Sequence, residues 1–186
     1  VTRPVPPSLP NMPPSLSPYL PNLADLGTLL AVAGAVLAIV ALGAVAGGRS
    51  RLAEADLLCG WGVVIALFTI VGTVTRIPLS ALTHPLIAFA AAGAFWVIHR
   101  DGRLTARGAV RMMLLGAPLL IVVAPMTASQ WDEFSQWLYS AKYLVTVDAF
   151  PRPDLVQNPA SFPGYPYGLP MAMFLAARLA GGFVEN

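Results

Sequence analysis

LGTLLAVAGAVLAIVALGAVAGG, residues 26–48, runs for 23 positions without a charged side chain. A helix rises about 1.5 Å per residue, so roughly 20 apolar residues cover the hydrocarbon core of a bilayer. This stretch therefore reads as a membrane-spanning helix over 26–46, and it decides the class of the whole chain. The surrounding composition agrees. Of 186 residues, 56% are hydrophobic and 11% charged, whereas a soluble domain carries about 25% charged residues.

Working outward, Gly47, Gly48, Arg49, Ser50 and Arg51 form a polar exit. A second apolar run covers 57–74 and contains Trp61. The turn 75–80 leads to a third run over 81–98, which carries His84 and Pro85. A fourth, 112–126, is interrupted by Pro118 and Pro125. A fifth, 169–183, contains Arg178 and is shorter than a full crossing. The expected fold is all-α: a polytopic helical membrane protein with about four to five transmembrane helices and an amphipathic interfacial helix in an outer loop. The expected organisation is a proline-rich tail over 1–23, with eight prolines that exclude a helix interior, and a four-span module over 24–126. An extracytoplasmic loop over 127–167 and the start of a further span over 168–186 complete it.

Several chemistries are excluded at this stage. Eleven basic and nine acidic residues give a net charge of +2, too dispersed for a nucleic-acid stripe. The single cysteine, Cys59, allows no intrachain disulfide. No phosphate-binding glycine loop, dinucleotide fingerprint or zinc-protease motif is present, and two separate histidines make no zinc cluster. Arg49, Arg51, Arg100, Arg103, Arg107 and Arg111 fall on one side of the predicted spans. Arg3, Arg76, Lys142 and Arg152 fall on the other. Basic residues near spans stay cytoplasmic, which puts the tail and loop 127–167 outside.

That loop holds nine of the seventeen aromatic residues and four of the nine acids. Trp131, Phe134, Leu138, Ala141 and Val145 recur at helical spacing, and Ser129 with Asp132 fits a capping pattern. The helix is expected to lie on the membrane surface with Trp131 and Trp137 at headgroup depth, and Pro151 and Pro153 end it. Asp132 and Glu133 are adjacent carboxylates. Either one is catalytic and the other orients it, or both complement the positive end of the helix. Lys142 attracts a phosphate or simply snorkels. Arg152 is an anion contact or pairs with Asp148 or Asp154. Tyr165 and Tyr167, in the rigid run SFPGYPYGLP, stack on a sugar or anchor the interface. His84 is a functional group or a packed one, and Gly43 with Gly47 is a helix-packing pair.

The motifs WDEFSQW, AKYL, DAFPRPD and YPYGLP together resemble the bacterial multi-spanning glycosyltransferases of the GT-C superfamily, over about residues 128–186. The resemblance implies an acidic pair opening the first large extracytoplasmic loop, with Asp132 in the place of the catalytic carboxylate and Glu133 as its acidic neighbour. It implies a hexosyl- or pentosyltransferase in the inner (plasma) membrane of a bacterium, using a sugar on a polyprenyl-phosphate-linked donor. Cations or a divalent metal ion would stabilise the leaving phosphate. Lys142, Arg152, Tyr165 and Tyr167 would serve the substrate. In the family this loop follows the first span and several spans come after it. Here four precede it, so the chain is expected to be the N-terminal part of a longer enzyme with an extra membrane module. The alternative is a non-catalytic membrane subunit that binds a lipid-linked sugar or a protein partner.

Overall fold

A computed structural model describes residues 26–49, 51–102, 107–123, 136–164 and 166–183. The described residues form helices and connecting loops with no strand: α1 Leu26–Ala46, a 3-10 turn Ala53–Ala55, α2 Asp56–Val74, α3 Leu79–Asp101, α4 Arg107–Val123, α5 Leu138–Val147 and α6 Gly168–Ala180. The chain is thus an all-α polytopic membrane protein. Three segments are long and apolar enough to cross a bilayer, Leu26–Ala46, Ala53–Val74 and Leu79–Asp101. The fourth predicted span is described over 17 residues and the fifth over 13.

α1 occupies the centre and packs against α2, α3 and α6. In a membrane, helices gain little from the hydrophobic effect on meeting, and small residues that let backbones approach supply the contact. Gly43 and Gly60 do this reciprocally. A side chain at Gly43 would overlap the Asp56 carbonyl and come 2.7 Å from the Gly60 nitrogen, while one at Gly60 would overlap the Ile39 carbonyl and come 2.9 Å from the Gly43 nitrogen. The Gly43 signal thus marks the α1–α2 crossing, and its partner is a glycine that the sequence reading passed over. Leu58, Ile70, Phe89 and Phe95 stay exposed on the outside of the bundle, as lipid-facing residues must.

Two polar clusters fix the ends. At the arginine end, Arg51 Nε meets Asp56 Oδ2 at 3.1 Å and Arg51 Nη1 meets Asp101 Oδ2 at 2.7 Å. Arg100 Nε closes on Asp101 Oδ1 at 2.6 Å. Arg51 Nη1 and Arg100 Nη2 also donate to the Gly48 carbonyl, each at 3.2 Å. Burial works against the Arg51 charge, but Asp101 and Asp56 outweigh it and hold the guanidinium more firmly protonated than a free arginine. This cluster ties the end of α1, the start of α2 and the end of α3 together.

At the opposite end Asp148 follows α5 in the left-handed region, with φ 59°, a conformation that Asp tolerates better than most residues. Its carbonyl accepts from Leu79 N at 2.9 Å. Its carboxylate accepts from Ser80 N at 2.8 Å and from Ser80 Oγ, so it caps α3 from outside the helix. Arg178 Nη2 completes the set at 3.0 Å from Asp148 Oδ1 and also donates to the Val145 carbonyl at 3.0 Å. Arg178 in the fifth predicted span is therefore a structural cation at the end of α6, packed over the Phe174 ring.

Candidate functional site

Residues 148–168 leave the end of α5 and return to the start of α6 along one face of α2. Phe150 begins the path. Its ring lies where a side chain at Gly72 would stand, 2.5 Å from that position, so the glycine opens α2 to the aromatic. Tyr167 meets Phe150 edge to face, with ring centroids 5.3 Å apart. The path ends where Trp61 Nε1 donates to the Gly168 carbonyl at 2.9 Å.

Buried polar side chains hold this irregular segment, because loop backbone away from water needs partners. Gln136 pairs with Phe162 in both directions: Nε2 donates to the carbonyl at 2.8 Å and Phe162 N donates to Oε1 at 2.9 Å. Asn158 Nδ2 donates to Tyr167 Oη at 2.8 Å and to Ser140 Oγ at 3.4 Å, while its Oδ1 accepts from Ala160 N at 3.0 Å. Tyr167 Oη in turn donates to the Pro163 carbonyl at 2.9 Å. Every polar atom of Asn158 is therefore used to shape the loop.

Between the loop and α2 lies a cleft of about 440 Å3, within the size range of small-ligand sites. The wall from α2 is Ile65, Thr69 and Thr73, one residue per turn. The facing wall is Phe150, Pro151, Pro163 and Pro166, with Tyr167 and Gly168 at the junction with α6. Thr73 Oγ1 donates to the Thr69 carbonyl at 2.6 Å, so its hydrogen is spent within α2. The result is an apolar slot with a tyrosine in it.

Arg152 follows the cleft-lining Pro151. Its Nε lies 3.4 Å from Asp154 Oδ1 as an ion pair without a hydrogen bond. Of the two acids the sequence offered it, Arg152 takes Asp154, and Asp148 is engaged with Ser80 and Arg178. Nearby, Tyr143 Oη is buried and has no hydrogen-bond partner among the described residues. Burial raises the Tyr143 hydroxyl above the ordinary phenol range, against the pull of the Arg152 charge.

The Tyr143 hydroxyl thus folds as a neutral group. The stability that depends on its neutral form is present below the ordinary phenol value of about 10 and is lost as pH rises through its higher folded value. An absorbance titration at 295 nm is expected to show a late-ionising component that Tyr143→Phe removes. A titration curve unchanged by Tyr143→Phe would contradict the burial of that hydroxyl.

Of the residues singled out from sequence, Tyr167 lines the cleft, Arg152 follows its wall residue Pro151 and pairs with Asp154, and Lys142 is exposed on α5. Asp132, Glu133 and Tyr165 lie outside the described residues, as do Ser129, Trp131 and Phe134. α5 carries the later part of the predicted amphipathic stripe. Of the stripe, Ala141 is fully buried and Leu138 and Val145 are half-buried; Leu144, outside the stripe, is fully buried too, and the helix packs against α6. His84 is exposed on α3. Gln136, Ser140, Asn158 and Trp61 were not foreseen. Apart from the local bond between Asn158 and Ala160, each acts through one or two hydrogen bonds to residues nine or more positions away, which leave no local pattern.

No protein family, curated protein or solved structure matches this chain.

Proposed function

We propose that this chain belongs to an integral membrane glycosyltransferase of GT-C type. It would move a sugar from a polyprenyl-phosphate-linked donor to an acceptor on the extracytoplasmic side of a bacterial inner membrane. The observation that carries this reading is the cleft: an apolar slot against α2 with Tyr167 in it, whose wall residue Pro151 is followed in the chain by the cation Arg152. An isoprenoid chain needs the apolar slot and its phosphate needs the cation. The Tyr143 hydroxyl, buried with no hydrogen-bond partner among the described residues and within reach of the Arg152 charge, offers a second donor to an anionic headgroup.

In this reading Asp132 takes the proton of the acceptor hydroxyl or amine as the acceptor lone pair attacks the anomeric carbon. The bond from that carbon to the phosphate oxygen breaks, and the electron pair leaves with the polyprenyl phosphate. Arg152 meets the charge that develops there, which is where fixed charge lowers a barrier most. Glu133 orients the base or the acceptor. Among the described residues no three His, Cys, Asp or Glu side chains come together to hold a metal ion.

Asp132→Asn in the complete membrane protein tests the assignment. Transfer from a polyprenyl-phosphate sugar is expected to fall by about 10² to 10⁴, the range for loss of a general base, with donor retention unchanged. Transfer at the wild-type rate would remove Asp132 from the chemistry and leave a subunit that only binds the lipid-linked sugar.

A further inference from the structure

Contacts along α2 give a ruler for how deep the loop reaches. Phe150 sits at Gly72, near the end of α2. Gly168 sits between Ile65 and Trp61, where a side chain on it would come 3.0 Å from Ile65 Cδ1 and where Trp61 holds its carbonyl. Ile65 and Trp61 precede Val74 by nine and thirteen positions, a drop of roughly 14 to 20 Å along the helix. α6 then climbs back. Phe174 meets Phe68 with centroids 6.0 Å apart, and Arg178 reaches Asp148 at the cap of α3. The segment Ala53–Val74 is itself only long enough to cross the membrane once, so its middle lies within the hydrocarbon.

We propose that residues 149–164 and 166–168 belong to a re-entrant loop inserted beside α2 into one leaflet, so that the cleft opens to the lipid tails and takes up a hydrocarbon chain laterally from the bilayer. Irregular backbone at that depth is tolerated where it is covered by protein or where few polar groups go unmet. The loop meets this condition in two ways. Pro151, Pro153, Pro159, Pro163 and Pro166 carry no N–H to satisfy. Gln136, Asn158 and Trp61 cover backbone groups of Phe162, Ala160 and Gly168. α6, at 13 residues, is too short for a crossing and has the right length to return from mid-depth to the surface. This inference deepens the proposed function by giving the donor chain a route, but it rests on contacts and not on catalysis.

The test uses the chain in lipid nanodiscs with Cys59→Ser as background and single spin labels at Leu169→Cys, Thr69→Cys and Asp154→Cys, all at exposed positions. Collision with oxygen, which concentrates in lipid, is compared with collision with a water-soluble nickel chelate. Leu169 and Thr69 are expected to favour oxygen strongly and Asp154 to favour nickel. Nickel access at Leu169 would place the loop tip in water and overturn the insertion. Nickel access at Thr69 alone would make the cleft a hydrated one and overturn lateral uptake. Both readouts are blind to transfer activity, so failure here and failure of Asp132→Asn are distinguishable. Trp61→Phe, which keeps the ring and loses the hydrogen bond, is expected to move the Leu169 label toward nickel, and an unchanged depth would overturn the role of Trp61 in holding the loop down.

Discussion

Leucine in place of Gly60 is expected to separate α1 from α2 and to abolish the cooperative thermal unfolding of the purified protein. The reason is that the obstacle is backbone. A side chain there meets the Ile39 carbonyl and the Gly43 nitrogen, neither of which can rotate away as a flexible side chain would. Overpacking usually costs about 1–3 kcal/mol and more where nothing can yield, so a loss of about 3 kcal/mol or more is expected. Gly43→Leu should be equally damaging, because it meets the same contact from the other side. Gly62 is the control: a side chain there meets nothing within 4 Å, and Gly62→Ala should be neutral or slightly stabilising through helix propensity. Equal melting temperatures for Gly60→Leu and Gly62→Ala would refute the crossing.

Arg51→Met should be the second most damaging change. Asp56 is 1% exposed, and Arg51 is the cation that meets it. Removing one partner of a buried pair leaves an uncompensated charge, at a cost of about 3–5 kcal/mol where burial is complete. Arg51 is 11% exposed at the end of the bundle, so the lower end of that range applies. Asp56→Asn in the Arg51→Met background should recover part of the loss, since the stranded charge is then gone. Additive losses in the double variant would contradict the pairing. Arg111 and Glu54, 3.6 Å apart and each half or more exposed, offer the contrast: breaking that pair should leave stability nearly unchanged.

How much of this was legible in the sequence depends on whether the signal is local. The uncharged run 26–46 coincides with α1, and the spans at 57–74 and 81–98 fall inside α2 and α3. Hydrophobicity integrated over twenty residues is a strong local signal. α3 extends to Asp101 because His99 stacks on Phe95 and because Arg100 and Asp101 are anchored by Trp96 and Arg51, which an apolar window cannot register. Gly43 was visible as a packing residue, but that its partner is Gly60 depends on how two helices cross.

Around the cleft the same rule holds. Tyr167 stood out because prolines and glycines surround it, and Arg152 because it is a rare cation in the loop. The clamp from Gln136 to Phe162 spans 26 residues and that from Trp61 to Gly168 spans 107, and no spacing rule reaches so far. The descent of the loop along α2 follows from Gly72 and Gly168, whose missing side chains admit Phe150 on one side and Trp61 with Ile65 on the other. In the sequence these are two glycines among sixteen.

The measurement that bears most directly on the central claim is native mass spectrometry of the purified chain after reconstitution with a polyprenyl phosphate, comparing wild type with Thr69→Trp. Thr69 is exposed on the α2 wall of the cleft, so an indole there fills the slot without touching the core. Wild type is expected to retain one polyprenyl phosphate per chain and Thr69→Trp to lose it. Equal retention by the two proteins, or none by either, would contradict the assignment of this cleft to a lipid-linked donor.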